Sequence, residues 1–100
     1  MKKKTAKPTH RAHVFYSGRV QGVGFRYTAE ELALEIGLLG CVKNLPDGRV
    51  ELVCEGSKTD IEKLLEDIQK STLGRHITKI ACSWEKPKNE FTDFCVEFCH

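Results

Sequence analysis

Residues 41–56 read Cys41-Val-Lys-Asn44-Leu45-Pro-Asp-Gly48-Arg-Val50-Glu-Leu-Val-Cys54-Glu-Gly56. Two short runs rich in apolar and β-branched residues, 41–45 and 49–55, flank Pro46-Asp47-Gly48, and Asp-Gly between such runs signals a β-hairpin. On either side of the hairpin the period changes from two to 3.6. Upstream, Phe25, Ala29, Leu32, Ala33 and Ile36 form one helical stripe, Glu30, Glu31 and Glu35 lie on the opposite face, and Gly37 is a natural stop. Downstream, Ile61, Leu64, Leu65 and Ile68 form a second stripe that ends at Leu73-Gly74. Its capping box is Ser57 with Asp60 or Thr59 with Glu62, and the spacing allows both.

The outer elements complete the pattern. Residues 11–18 are β-branched and aromatic in the middle and end in glycine, and residues 76–84 read as a fourth strand. After a polar Pro/Lys/Asn stretch, residues 92–98 alternate as a last strand segment. The order β-α-β-β-α-β, with both helices apolar on one side only, predicts an α+β, ferredoxin-like split β-α-β sandwich: an antiparallel sheet with two helices on one face. The third strand then lies between the first and second, and the fourth pairs on the outer side of the first.

One hundred residues suit one domain. With 40% hydrophobic and 30% charged residues, the composition is that of a folded globular protein rather than a disordered chain. The net charge of +2 conceals an asymmetry: Lys2, Lys3, Lys4, Lys7 and Arg11 stand at the start without an acid. The remaining 11 basic residues face 14 acids. A nucleic-acid binder concentrates positive charge on its folded surface, so nucleic acid is not an expected partner. We therefore expect a flexible basic tail over residues 1–10 and a domain over 11–100. No apolar run follows the basic start, which argues against a signal peptide, and no stretch approaches a membrane span. A cytoplasmic monomer is expected. Five cysteines without a C-x-x-C do not suggest a disulfide framework. Cys41 and Cys54 would face each other if the turn were centred on Asp47-Gly48, and a one-residue change of register separates them. Cys95-x-x-x-Cys99-His100 carries metal-capable groups, but three ligands at a chain end make a poor zinc site. His10, His13, His76 and His100 lack ligand spacing, and no metal is expected.

Chemistry points to residues 18–26, Gly18-Arg-Val20-Gln21-Gly22-Val23-Gly24-Phe25-Arg26. Three glycines between a strand and a helix let successive N–H groups turn inward as an anion nest. The helix N-terminus adds unpaired N–H groups and its positive dipole end. Arg26, in the first turn, can offer a planar fork to two phosphate oxygens. On the glycines alone, a tight strand-to-helix turn with a surface arginine is the simpler reading, since the spacing matches neither G-x-G-x-x-G nor the nucleotide-binding P-loop. The topology adds a second observation. In a split β-α-β unit the first two strands are parallel, so the glycine loop and Asn44 converge on one edge of the sheet. Asn44 by itself could equally bond the turn backbone.

The two stretches together resemble the acylphosphatase family. Gly18-x-Val20-Gln21-Gly22-Val23-x-Phe25-Arg26 is similar to that family's signature, and Gly37-Leu-x-Gly40-x-Val42-x-Asn44 with Asp47-Gly48-x-Val50-Glu51 and Glu55-Gly56 resembles its second block. Cys41 stands where the family often has an aromatic residue and Lys43 where it often has arginine. The resemblance, over residues 11–98, implies hydrolysis of the carboxyl–phosphate bond of acyl phosphates without a cofactor. It makes Arg26 the phosphate-binding catalytic arginine and Asn44 the residue that orients the attacking water. Val20, Gln21, Gly22, Val23, Gly24 and Phe25 become the backbone phosphate loop, which inorganic phosphate or sulfate can also occupy.

Such chemistry asks little of a protein. The leaving carboxylate, with a conjugate-acid pKa of about 4, departs without a general acid. Phosphoryl transfer needs mainly positioning and charge stabilisation. Neither motif holds a nucleophile for a phosphoenzyme, and no carboxylate cluster suggests Mg²⁺. Three rivals share the pattern. An RNA-binding module of the same strand order needs aromatic residues on its third strand, and residues 49–55 have none. A non-catalytic phosphate- or small-ligand-binding domain would keep the cradle without turnover. The acylphosphatase-like part of a larger carbamoyl-transfer enzyme would need partner domains, and this chain is expected to be complete.

Overall fold

The computed structural model describes residues 7–97; most of the expected basic tail, Phe98, Cys99 and His100 lie outside them. The elements follow the predicted order: β1 (His10–Gly18), α1 (Phe25–Ile36), β2 (Leu39–Asn44), β3 (Val50–Gly56), α2 (Lys58–Lys70), a 3₁₀ turn (Thr72–His76), β4 (Ile77–Glu85) and β5 (Phe94–Glu97). The sheet runs β4-β1-β3-β2-β5. β1 pairs antiparallel with β3 and β4, and β3 antiparallel with β2. Thus β3 lies between β1 and β2, as expected.

Strand alternation divides the sheet into two faces. Ala12, Val14 and Tyr16 of β1, Val42 of β2, Val50, Leu52 and Cys54 of β3, and Phe94 of β5 face the helices and are buried. The helices meet them with Phe25, Ala29 and Ala33 from α1 and Ile61, Leu64 and Ile68 from α2, while Leu32, Ile36 and Leu65 are only partly buried. Burying each large side chain contributes about 1.5–3 kcal/mol, so this single layer is the main source of stability. Gly37 closes α1 in the left-handed region at φ 95° and donates its N–H to Ala33 O at 2.9 Å. At the start of α2, Ser57 resolves the capping alternatives: its Oγ accepts the Asp60 N–H at 3.1 Å.

Two expectations need correction, and one open alternative is decided. First, the sheet is not wholly antiparallel: β5 pairs parallel with β2, Cys41 beside Cys95 and Lys43 beside Glu97. The chain leaving β4 crosses over the sheet's second face before it adds this edge strand. The crossing is held by Glu55, which is fully buried. Its carboxylate accepts the backbone N–H of Lys88 at 2.7 Å and of Asn89 at 3.2 Å, and pairs with Arg11 Nη1 at 2.8 Å. Second, α2 ends at Lys70 rather than at Leu73-Gly74. Ser71 Oγ donates to Ile68 O and accepts the Leu73 N–H, which tightens the chain into the 3₁₀ turn that buries Leu73. Of the two hairpin registers left open, the one that separates Cys41 from Cys54 is adopted. Leu45 N–H donates to Arg49 O at 2.8 Å around the three-residue loop 46–48. The turn is therefore centred on Asp47, which sets Gly40 opposite Cys54 and Cys41 opposite Val53. A one-residue slip of this kind puts the two thiols on opposite faces.

Candidate active site

The site sits at the edge where β1 and β2 both end. β1 stops at Gly18, whose neighbour Arg19 donates its N–H to His76 O at 2.9 Å. The loop that follows is anchored inward by Val20, which is fully buried. Gly22 and Gly24 then take positive φ of 79° and 81°, conformations that favour glycine. A Cβ at either would meet nothing within 4 Å, so the constraint there is conformational and the adjoining space is open. Gly24 is also the N-cap of α1, and no side chain caps the helix. The first-turn N–H groups, which have no intrahelical partner, remain available to an anion.

A cleft of about 330 Å³ opens beside this loop. Val20, Gly22, Gly24, Phe25 and Arg26 line one side of it, and Asn44, from the last position of β2, lines the other. The two predicted catalytic residues therefore share one cleft. Among the described residues no protein group bonds the Asn44 amide, so the turn-bonding alternative does not hold. Asp47 serves the turn instead: its Oδ1 accepts the Arg49 N–H at 3.1 Å and its Oδ2 the Arg49 Nε–H at 2.9 Å. The Arg49 N–H, with the guanidinium, holds the Asp47 carboxyl below its ordinary range against the opposing effect of burial.

Two of the predicted loop residues, Gln21 and Val23, do not line the cleft; Val23 packs partly against the core. Gln21 has a different task. Its Nε2 donates to Leu45 O at 2.8 Å and to Arg49 O at 2.9 Å. This amide ties the glycine loop to the base of the hairpin, next to Asn44.

Sequence reasoning missed three further lining residues, Tyr27, Glu30 and Val96. Glu30 had a signal, since it stands four positions after Arg26 and so on the same side of α1. Val96 had none, because β5 reaches the site only through its parallel pairing with β2. The same strand holds the arginine: Arg26 Nη1 donates to Glu97 O at 3.2 Å.

A family model for acylphosphatase matches residues 12–96. The chain belongs to the acylphosphatase family. An acylphosphatase of Roseiflexus sp. is 43% identical over 86 residues, covering 86% of this chain and 92% of the relative. The crystal structure of the Bacillus subtilis acylphosphatase superposes with a TM-score of 0.81 at 31% identity, covering 88% of this chain and 98% of that one. The acylphosphatase of Coxiella burnetii superposes at 0.76 with 35% identity, covering 94% of this chain and all of that one. In this acylphosphatase-family chain, the matched region contains both motifs, the cleft and β5 to Val96. No helix among the described residues is long and apolar enough to cross a membrane.

Proposed function

We propose that the cleft hydrolyses acyl phosphates to a carboxylate and inorganic phosphate, with Arg26 and Asn44 as its catalytic residues. The observation that carries this reading is the shared cleft: Arg26 and the open Gly22–Gly24 loop on one side, Asn44 on the other. The phosphoryl group sits in the loop, its equatorial oxygens met by the guanidinium fork and by backbone N–H groups of the cleft-lining Val20, Gly22, Gly24 and Phe25. Asn44 accepts a hydrogen bond from the attacking water and holds it in line with the leaving carboxylate. The water oxygen bonds phosphorus as the P–O bond to the acyl group breaks, and the carboxylate leaves without protonation. The water's proton passes to a phosphate oxygen of the substrate. Inorganic phosphate or sulfate fits the same cradle.

The cleft is open at its acyl side, where the exposed Tyr27 stands, which suits a range of acyl groups. A cytoplasmic monomer fits this reading.

The test is the ultraviolet decay of benzoyl phosphate in EDTA, for wild type, Arg26→Ala and Asn44→Ala. Rapid hydrolysis by wild type, lost in both folded variants, is expected. A folded wild type that binds phosphate without turnover would make the chain a non-catalytic ligand-binding domain. Undiminished activity in Asn44→Ala would remove the positioned water from the mechanism.

A further inference from the structure

The sheet face away from the helices gathers a second set of chemical groups that the acyl phosphate reading does not use. Cys41 on β2 and Cys95 on β5 are direct neighbours across the parallel pair, and Glu97 follows two residues later on the same side of β5. One ligand atom from each, two thiol sulfurs and a carboxylate oxygen, lie within 4.8 Å of one another. We infer that Cys41, Cys95 and Glu97 form a binding site for a thiophilic divalent cation of the Zn²⁺ class.

The donor set selects the ion. Two sulfurs and one carboxylate suit zinc or cobalt and disfavour Mg²⁺ or Ca²⁺, which take oxygen ligands. Zn–S bonds of about 2.3 Å place tetrahedral ligands roughly 3.8 Å apart, so side-chain rotation must close the triangle by about 1 Å. Three protein ligands leave the fourth position to water, and the exposure of Cys95 and Glu97 gives that water access. On binding, the two thiol protons leave to solvent and both sulfurs coordinate as thiolates. The weak Cys95 S–H contact to Gly40 O, at 3.8 Å, is given up.

The site already carries the opposing charge pattern. Lys43 occupies the remaining corner, beside Glu97 in the strand register. Its Nζ is 4.0 Å from Glu97 Oε1 and 3.7 Å from Glu51 Oε1. A bound cation takes over Glu97, and the ammonium stays with Glu51. Metal binding would cross-link β2 to the four-residue strand whose Glu97 carbonyl accepts from Arg26. Sequence spacing could not reveal this set, because Cys41 joins the other two only through the parallel pairing.

The test is a Co²⁺ titration of the full, freshly reduced chain under anaerobic conditions, followed by absorption. Wild type should develop a sulfur-to-cobalt charge-transfer band that one equivalent of Zn²⁺ abolishes. Cys95→Ser and Cys41→Ala, the latter keeping the buried position apolar, should lose the band while retaining the far-ultraviolet dichroism of the fold. Glu97→Gln should weaken cobalt binding at least tenfold, and Lys43→Met should tighten it. No band in wild type, or a band that survives in the Cys41→Ala/Cys95→Ser double variant, would overturn the assignment. So would a band that survives Cys41→Ala but disappears in Cys99→Ser or His100→Ala, since the metal would then belong to the chain end.

Discussion

Gln21 is where the two halves of the cleft are joined, and Gln21→Met is the substitution that tests it. Methionine keeps the length of the side chain and removes both donated hydrogen bonds, to Leu45 O and Arg49 O. Neither carbonyl is orphaned by the change. Leu45 O still accepts the Gly48 N–H at 3.1 Å, and Arg49 O the Leu45 N–H at 2.8 Å. The cost is therefore the net worth of two hydrogen bonds, about 1–3 kcal/mol together, without an added desolvation penalty. For a domain of this size that lowers Tm by roughly 4–8 °C per kcal/mol.

The kinetic effect should exceed the stability effect. Arg26 and the glycine loop lie on one side of the broken tie and keep the phosphate, so KM changes little. Asn44 lies on the other, and a misplacement of about 1 Å between water and phosphorus costs on the order of 10²-fold in kcat. Gln21→Glu should be the more damaging of the two, because its carboxylate has no N–H to donate and sets a negative charge against both carbonyl oxygens. Steady-state benzoyl phosphate hydrolysis and thermal unfolding of both variants provide the check. A lower Tm with unchanged kcat would show Gln21 to be a structural clamp only, and a raised KM at constant kcat would place it in phosphate binding instead.

Three further outcomes follow from the structure. Glu30→Gln removes a negative charge from the cleft in which we propose that the phosphate dianion binds, and should raise kcat/KM by about 1.4- to 5-fold, the equivalent of a 0.2–1 kcal/mol charge interaction; a loss of about 10²-fold or more would instead make Glu30 a general base. Glu55→Ala strips a buried charge pair and two backbone N–H groups of their acceptor, and should cost about 3–5 kcal/mol in urea unfolding; a loss under about 1 kcal/mol would mean the crossing needs no clasp. Burial pushes the Cys54 thiol up to about 12 and, with Glu97 beside it, the Cys41 thiol up to about 12, from an ordinary 9.0. The folded chain thus keeps protons that the unfolded chain loses above pH 9, so stability should be whole below that pH and fall between 9 and 12. The raised Tyr16 phenol adds the same sign, and urea midpoints at pH 8 and 10 that do not decline would contradict the burial.

The parts of this molecule that were legible from sequence are those whose cause is local. Each helix announced itself through a one-sided apolar stripe, and the residues of those stripes are the ones found buried or half-buried. The hairpin followed from Asp47-Gly48, and the element order fixed which strand lay between which. Where competing local geometries differ by one residue, the pattern was silent. Only the Leu45–Arg49 closure decides that Cys41 faces Val53 rather than Cys54. The end of α2 failed for a similar reason. Ser71 bonds backward to Ile68 O and forward to Leu73 N, and these short bonds of its hydroxyl compete with the helix more effectively than the later Leu73-Gly74 suggests.

The site divides along the same line. Arg26, the glycines and Asn44 belong to elements whose convergence follows from parallel β1 and β2, so topology alone put them together. What stabilises that convergence is assembled from distant residues. Glu55, at the end of the hairpin's second strand, gathers Arg11, Lys88 and Asn89 on the face opposite the helices. Those contacts span 33 to 44 positions, and no periodicity encodes them. They fasten the segment that leads into β5, and β5 supplies both a wall of the cleft, Val96, and the carbonyl that accepts from the Arg26 guanidinium. A buried carboxylate on one face of the sheet thus holds the chain that leads to the carbonyl partner of Arg26, although Arg26 and Asn44 themselves lie within the first 44 positions of the chain.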